Sequence, residues 1–490
     1  MRQHSTDGSS LVTRRALLKR GLLAGLGVAG ASLLAACQQA APASPAKPAE
    51  SKPPESKPAE AAKPAQTSAP AASSKPYAGK TITAWLTSHV YANTIRGLLG
   101  DFEERSGMKV TLELLAFDIH NQRADLELSS GSGSVDVMNL TFIFSGKWIE
   151  AGWCTDLAPM LSDSGMTKPG EVEPNDFTAG AITPFRRGDK LYGLPWVAET
   201  SMLMYRTDVF KDKGVAGPPK TFDEMVEIAK KVHSSEIAGN LTRGTNGLHW
   251  VWPTYLYGYG GKFFANPPQD MTPALNAKES VAATTVFDQL ATQYGVPGSM
   301  AFQDADAQTA FNQGRAAMFL DALGVLGAAL DKEKSKVTDT VSFALPPEGP
   351  GGFKPQIAAH ALFIPSGVKE KGPGFEFIKW ATSKEILRKT ALEGSHVAAP
   401  RSSILTDPAY DQKYTWGGAK IGELQSKVLD AAGAGYMTYR TLPEFPQVGS
   451  RVTIALAEIS SKQKGVEQSL NDLQTDVVGI LKQAGHQVTA

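Results

Sequence analysis

The chain has 490 residues with 49 basic and 49 acidic side chains, so its formal net charge is zero. Residues 1–36 hold five of the basic residues and one acidic residue, which leaves 44 basic and 48 acidic residues, a net charge of −4, from residue 37 onward. Nucleic-acid-binding proteins usually carry a strong basic excess, so this balance argues against a nucleic-acid partner. The two cysteines, Cys37 and Cys154, are too few for a disulfide framework.

The first 36 residues have the pattern of a bacterial export signal. Paired Arg14 and Arg15 precede an apolar, glycine-rich run, and this order indicates the twin-arginine route. The run ends in Leu34-Ala35-Ala36-Cys37, which resembles a lipobox. The resemblance implies that Cys37 is lipidated and holds the mature, exported chain on the outer face of the cell membrane. A transmembrane helix is the alternative, but the apolar run is short for a hydrocarbon core of ~30 Å.

Residues 37–78 are predicted to be a disordered tether. They are almost wholly Ala, Pro, Lys, Ser and Glu, without apolar periodicity, so they cannot bury a core. In polyproline geometry, at ~3.1 Å per residue, such a segment reaches on the order of 100 Å when fully extended. A Pro-rich recognition tail is the alternative interpretation.

The body of the chain opens with alternating strands and helices. Strands are predicted over residues 79–86, 108–115 and 135–140, with helical spacing over 92–106 and before the glycines at 131 and 133. This alternation predicts an α/β fold with parallel pairing. Ligands of such sheets bind beyond the carboxyl ends of the strands. Residues 85–89 and 139–144 are therefore the first candidates for a site. Cys154 is expected to be a small buried side chain.

A helix start is predicted farther along the chain. Thr221 and Glu224 form a capping-box pattern after two prolines. Met225, Ala229 and Val232 continue an apolar face behind it. These residues are interpreted as structural.

Eight segments taken together resemble the extracellular solute-binding proteins of ABC importers, in the broad family that includes maltose- and oligosaccharide-binding lipoproteins. Each segment is weak evidence alone, but their shared order is specific. In chain order they are Asp101–Val110, Glu150–Pro159, Tyr192–Pro195, Tyr205–Arg206, Pro218–Glu224, Gly260–Phe264, Ala310–Met318 and Ala361–Pro365.

The resemblance implies the type II periplasmic-binding-protein fold, with two lobes of parallel-rich sheets flanked by helices and hinge strands between them. Lobe one would comprise residues 79–193 and 358–396, and lobe two residues 194–357 and 397–490. A solute, most simply a carbohydrate, would be trapped by hinge closure and delivered to a membrane permease. The resemblance implies a monomer without a cofactor and without catalysis of its own.

Candidate binding residues follow from what a saccharide requires, which is aromatic faces for its rings and polar groups for its hydroxyls. Core packing is the alternative role for each aromatic side chain. The relatives carry a ligand-contacting carboxylate near the position of Glu199, and Asp321 follows a family site loop. The predicted binding residues are Trp85, Asn139, Trp196, Glu199, Trp252, Tyr255, Asp321, His360 and Tyr436.

Departures from the family pattern keep other solutes open. Asp321-Ala322-Leu323-Gly324-Val325 and Gly449-Ser450-Arg451-Val452 stand where many carbohydrate binders carry a tryptophan. A polyamine, an organic anion or a ferric ion therefore remain alternative ligands. Residues 25–30 match a GxGxxG pattern but lack a preceding strand, so a dinucleotide site is not predicted. A lipid-anchored hydrolase also stays open, since paired carboxylates for glycoside chemistry depend on their separation in space.

Overall fold

A computed structural model describes residues 75–244 and 247–488. The predicted signal peptide, the predicted lipid anchor at Cys37 and nearly all of the predicted tether lie outside the described residues. The strands are β1 Thr81–Thr87, β2 Lys109–Leu115, β3 Val137–Thr141, β4 Arg186–Arg187, β5 Lys190–Leu191, β6 Leu194–Arg206, β7 Phe264–Asn266, β8 Asp270–Pro273, β9 Met318–Ala322, β10 Val341–Ala344, β11 Ile357–Phe363, β12 Thr415–Trp416 and β13 Ala419–Lys420.

Helices surround these strands. The α-helices are α1 Val90–Ser106, α2 Phe117–Ser130, α3 Phe142–Glu150, α4 Ala158–Ser162, α5 Ala179–Ile182, α6 Thr207–Asp212, α7 Phe222–Val232, α8 Leu248–Gly258, α9 Lys278–Asp288, α10 Asp304–Asn312, α11 Leu323–Leu326, α12 Lys371–Ala381, α13 Lys384–Leu392, α14 Ser402–Leu405, α15 Pro408–Lys413, α16 Ile421–Ala432, α17 Phe445–Ser460 and α18 Val466–Gln483. Short 3₁₀ turns lie at Pro174–Asp176, Thr183–Phe185, Ser299–Ala301, Gly327–Leu330, Thr338–Thr340 and Thr438–Thr441, and a π turn spans Gln289–Gln293.

Seven strands of the described part form one mixed sheet in the order β10-β6-β11-β3-β1-β2, with β9 also pairing with β6. β1 pairs in parallel with β2 and with β3, which confirms the pairing predicted from the alternation of strands and helices. β11 is antiparallel to both β3 and β6. Among the named strands of the described residues, the parallel pairs are therefore those of β1 with β2 and β3, and isolated parallel bridges such as that of Leu241 with Phe319 lie elsewhere.

The 13-residue strand β6 changes partners along its length. Its first half, up to Thr200, pairs with β11, whereas its second half, from Ser201, pairs with β9 and β10. The register against β11 shifts between His360 and Ala361, where Val197 and Pro195 are the opposing residues. Trp196 is thus the extra residue of a β-bulge, a feature that re-aims a side chain and is common beside binding sites.

The ends of helices α1 and α7 follow from local sequence. The His89 side chain accepts a hydrogen bond from the Tyr91 amide and starts α1 two residues before the predicted helix. Gly107 ends α1 with φ of 73°, a left-handed conformation that favours glycine. Thr221 caps α7 as predicted, because its side chain accepts from the Glu224 amide at 3.1 Å. Glu224 itself accepts from the Lys220 amide at 2.7 Å.

The described residues belong to one compact unit of the chain with a continuous apolar core. Cys154 is buried in that core as predicted, and burial raises the pKa of its thiol. Across residues 75–244 and 247–488, no helix combines the length and the apolar character needed to cross a membrane.

Candidate functional site

A group of polar and aromatic side chains meets where β1, β3, β6 and β11 lie side by side. His89 follows the end of β1, Asn139 lies on β3, Trp196 and Glu199 lie on β6, and His360 lies on β11. His396 joins them from the segment after α13, with its ring 5.7 Å from that of His89. We call these six residues, His89, Asn139, Trp196, Glu199, His360 and His396, the strand-end cluster. Four of them, Asn139, Trp196, Glu199 and His360, are sequence-predicted site residues.

The indole of Trp196 lies at the centre of the cluster and is fully buried. Its Nε1–H donates to Asn139 Oδ1 at 2.9 Å. The ring of His89 meets it edge-on at 5.5 Å between centroids, and the ring of His360 lies at 5.9 Å. The bulge in β6 therefore fixes an aromatic wall against two imidazoles.

Glu199 has a protein partner at each carboxylate oxygen. His89 Nε2 lies 3.1 Å from its Oε1, and the Gly324 amide donates to its Oε2 at 2.7 Å. Burial alone would raise the pKa of Glu199, but the hydrogen bond and charge of His89 and the Gly324 amide together lower it below the ordinary glutamate value. The side chain is therefore a buried carboxylate held in its charged form.

The two remaining imidazoles of the cluster are kept neutral. Burial, followed by the nearby His89, lowers the pKa of His360 to about 3. The same two causes lower the pKa of His396 well below the ordinary histidine value. Each ring therefore offers one donor and one acceptor nitrogen at neutral pH.

Several buried polar atoms at or beside these strands have no hydrogen-bond partner. Within the part of the chain that the structure describes, Asn139 Nδ2, Thr141 Oγ1, Thr200 Oγ1, His360 Nδ1 and His396 Nε2 are buried and have no partner. Buried polar groups in proteins nearly always have one. This surface therefore suits a molecule that can both donate and accept hydrogen bonds.

Two aromatic side chains lie at the margin of the cluster. Phe117, at the start of α2, is 40% exposed, and its ring meets His360 edge-on at 6.4 Å. Trp85, on β1, is half-buried, and the Arg123 guanidinium lies 4.2 Å from its ring centroid. The structure thus places Phe117, which the sequence did not single out, against a ring of the cluster.

Asp321 is part of a buried ion pair. Arg243 Nε donates to its Oδ2 at 2.7 Å, and Arg243 also pairs with Asp304. Burial raises the pKa of Asp321 even though Arg243 opposes that shift. The carboxylate is thus engaged by the protein.

The other three predicted aromatic residues lie away from the strand-end cluster. Trp252 is fully buried in α8, where its Nε1–H donates to Thr284 Oγ1 of α9 at 3.0 Å. Tyr255 stacks on Phe222 at 4.4 Å. The Tyr436 hydroxyl donates to the Pro355 carbonyl oxygen. Trp252 and Tyr255 are thus buried among core residues, whereas Tyr436 is only partly buried, and a role of all three in solute binding stays a prediction.

Sequence reasoning missed His89, Phe117 and His396 as site residues. A weak signal existed for His89, since it belongs to the segment predicted to follow the first strand. Phe117 opens a helix directly after β2, at the same edge of the sheet. His396 had no local signal, because residues far apart in sequence bring it to His89.

A separate open groove of about 1340 Å³ lies elsewhere on the surface. Its lining mixes apolar Leu345 and Phe353 with the charged Lys220, Glu227 and Lys231. None of the residues that line this groove has a buried unpartnered polar atom among the described residues, whereas Asn139, Thr141, Thr200, His360 and His396 do, so the cluster is the stronger candidate site. Among the described residues, no three or more His, Cys, Asp and Glu side chains are arranged to hold a metal ion.

Comparison with known proteins gives the following likenesses. The family model "Bacterial extracellular solute-binding protein" matches residues 88–386. A probable amino-acid ABC transporter periplasmic-binding protein of Sinorhizobium fredii is 23% identical over 84% of this chain and 91% of its own length. The mannitol-binding protein of Pseudomonas aeruginosa is 25% identical over 76% of this chain and 86% of its own length.

A solved structure shows the same fold. The ABC transporter solute-binding protein of Agrobacterium radiobacter K84, in complex with ribitol, superposes with a TM-score of 0.73 at 21% identity, covering 82% of this chain and 99% of that one. The predicted two-lobed type II fold is thereby confirmed, and β6 is the strand that pairs with β11 in its first half and with β9 in its second half.

Proposed function

Because the chain belongs to the bacterial extracellular solute-binding proteins, we propose that it captures a neutral polyhydroxylated solute, a polyol or a small sugar, for an ABC importer. The relative from Pseudomonas aeruginosa is named for mannitol, and the structure from Agrobacterium radiobacter holds ribitol. Members of this family are binding proteins, so the solute would be delivered chemically unchanged to the membrane subunits.

The observation that carries the proposal is the set of unpartnered polar atoms at the strand-end cluster. Thr141 Oγ1, His360 Nδ1 and Asn139 Nδ2 are buried without a protein partner within the described residues. Hydroxyl groups both donate and accept, so a polyol can satisfy amide, imidazole and hydroxyl groups together. The ring of Phe117, which is 40% exposed and meets His360 edge-on, suits the C–H face of such a solute.

The charges of the site favour a neutral solute over the charged alternatives. Glu199 is engaged by His89 and Gly324, and Asp321 by Arg243. Both carboxylates already have protein partners, so neither is free for the ammonium groups of a polyamine, and the neutral rings of His360 and His396 offer no positive charge to an organic anion. The arrangement therefore argues against both classes.

Capture would use the two-lobed fold. A solute that contacts both lobes stabilises the closed state, since its affinity differs between the open and closed forms. The change of partners within β6 between Thr200 and Ser201 supports a link between lobes in this strand. The predicted lobes, residues 79–193 with 358–396 and residues 194–357 with 397–490, remain proposals.

Anchoring through Cys37 is a separate proposal that rests on the lipobox-like sequence. The family is extracellular, so export is expected of this chain. We expect Cys37→Ser to move the protein from the membrane fraction to the medium or periplasm. Retention of the variant in the membrane fraction would refute the anchor.

A calorimetric titration tests the solute class. We expect heat of binding from ribitol, mannitol or a small sugar, and none from spermidine, citrate or ferric ion. A second candidate, an amino acid, follows from the Sinorhizobium fredii relative, so amino acids belong in the same panel. The proposal would be overturned if an amino acid bound while no polyol or sugar gave heat of binding. Recovery of a chemically altered solute would also overturn it.

A further inference from the structure

Glu199 connects two segments that follow different strands of the sheet. His89 comes two residues after the end of β1, and Gly324 comes two residues after the end of β9. Glu199 bonds to both, with 3.1 Å between its Oε1 and His89 Nε2, and 2.7 Å between its Oε2 and the Gly324 nitrogen. One carboxylate therefore joins two distant parts of the fold.

Glu199 lies in β6 close to the point where this strand changes its pairing partners. β6 pairs with β11 up to Thr200 and with β9 and β10 from Ser201 onward. Glu199 thus lies next to the point where the strand passes from one part of the sheet to the other. A contact at this point restrains how the two parts turn relative to each other.

The absence of a side chain at Gly324 permits the contact. A Cβ atom placed on Gly324 would lie 2.4 Å from Glu199 Oε1 and 3.0 Å from Glu199 Cδ. Real Cβ atoms essentially never approach so closely, so the carboxylate would have to move. The nearby Gly327 offers a matched control, because a Cβ there meets Val397 Cγ1 at an ordinary 3.8 Å.

We propose that Glu199 is a positioning residue that ties the segment after β1 to the segment after β9, rather than a contact of the solute. We call His89, Glu199 and Gly324 the Glu199 clasp. Its effect on solute affinity rests on the proposed function, whereas its effect on the solute-free chain does not.

The charges that face Glu199 make the clasp sensitive to pH. His89 faces it from the start of α1, His360 from β11, and Tyr410 from α15, and His396 lies behind His89. The low pKa of His360 and of His396 keeps both rings neutral, and burial raises the pKa of Tyr410 well above its ordinary value. His89 is the ring that lies within hydrogen-bond distance of the carboxylate.

The sign of the pH effect follows from these groups. The pKa of Glu199 is lowered in the folded chain, so the stability that its carboxylate contributes is present above the ordinary glutamate pKa and is lost as pH falls through the lowered value. Acid therefore weakens the clasp.

Amide hydrogen exchange of the full chain without solute tests the clasp. We expect His89→Ala, which leaves Gly324 itself unchanged, to speed exchange of the Gly324 amide about tenfold, a typical coupling between sites. Glu199→Ala and Gly324→Ala should speed exchange in both segments, whereas Gly327→Ala should leave residues 89–92 as in the parent chain. Glu199→Gln keeps the shape and should abolish the pH dependence of this protection.

The possible results separate the clasp from the solute proposal. Unchanged exchange of Gly324 in His89→Ala, or a pH profile of Glu199→Gln equal to that of the parent, would overturn the clasp. If the parent binds no polyol or sugar, the solute proposal fails, but the exchange comparison still decides the clasp. With a bound solute, Gly324→Ala should weaken affinity about tenfold relative to Gly327→Ala.

Discussion

Two regions of the molecule combine buried aromatic and polar side chains: the strand-end cluster, and the contact between α8 and α9 around Trp252. They differ in whether their polar atoms have hydrogen-bond partners. At α8–α9, the Trp252 Nε1–H donates to Thr284 Oγ1, and Thr284 donates in turn to the Ser280 carbonyl oxygen. At the cluster, Thr141 Oγ1 and His360 Nδ1 are buried without a partner among the described residues. Unsatisfied hydrogen-bonding capacity therefore distinguishes the candidate site from the Trp252–Thr284 contact, although Trp250 Nε1 in α8 is also buried without a partner among the described residues.

The largest expected effect is on the free energy of unfolding and comes from removing the Trp252 side chain from the α8–α9 contact. Trp252→Ala should lower the free energy of unfolding by about 3–5 kcal/mol, because it removes a fully buried indole and leaves a cavity. Urea unfolding of the solute-free protein measures the change. A small loss of stability together with weak solute binding would instead place Trp252 in the binding site.

Acid should destabilise the fold through its buried neutral histidines. Burial lowers the pKa of His120 to about 4, and that of His396 falls well below the ordinary value. Below the ordinary histidine pKa the unfolded chain binds a proton that the folded chain does not, so stability falls with pH. We expect a loss of about 1.4 kcal/mol per pH unit for each such group.

Thermal unfolding between pH 7 and pH 5 checks this dependence. His120→Asn should flatten the slope of stability against pH, because it removes one of these groups. An unchanged slope in that variant would show that His120 is not kept neutral.

Paired Thr→Val substitutions sharpen the comparison. Thr141→Val should leave the free energy of unfolding within about 0.5 kcal/mol, because it removes an unpartnered hydroxyl and keeps the shape. It should also weaken solute binding by about 1 kcal/mol, the net value of one hydrogen bond. Thr284→Val should do the reverse, costing about 1–3 kcal/mol of stability by leaving the Trp252 N–H unpaired, with solute affinity unchanged.

Chemical unfolding and calorimetric titration of both variants give the two numbers for each. Equal effects of the two substitutions on affinity would remove the distinction between the regions.

The smallest expected effect concerns the margin of the cluster. Phe117→Ala should weaken solute affinity by about 1 kcal/mol if the ring covers the solute, with a stability change of about 0.5 kcal/mol or less, since the side chain is 40% exposed. Leu126→Ala is the matched control, because Leu126 lies on the same helix and is 72% exposed. Equal affinities of the two variants would exclude Phe117 from the site.

Much of the fold could be predicted from local sequence patterns. The alternation of strand and helix predicted the parallel pairing of β1 with β2 and β3, and Thr221 marked the start of α7. The partner change within β6 was beyond such reasoning, because it depends on strands that are far away in sequence. The same is true of the bulge that turns Trp196 toward Asn139.

The part of the candidate site that lies on the strands could be predicted from the sequence. Asn139, Trp196, Glu199 and His360 lie on three adjacent strands, and the structure brings them together. Trp252 and Tyr255 were predicted as site residues because several aromatic residues lie near Pro253 in the sequence. A high local density of aromatic residues, however, is compatible both with a buried core and with an exposed binding surface. The partners of Glu199 were also invisible in the sequence, since His89 and Gly324 lie 110 and 125 residues away from it.

The most direct test of the central claim is a crystal structure of the protein grown with ribitol or mannitol. We predict a bound solute with hydroxyl oxygens within hydrogen-bond distance of Thr141 Oγ1 and His360 Nδ1, against the wall of Trp196, and with Glu199 still bonded to His89 and Gly324. A solute seated in the groove beside Lys220 and Phe353, or direct solute contact with Glu199 in place of its two protein partners, would contradict the account.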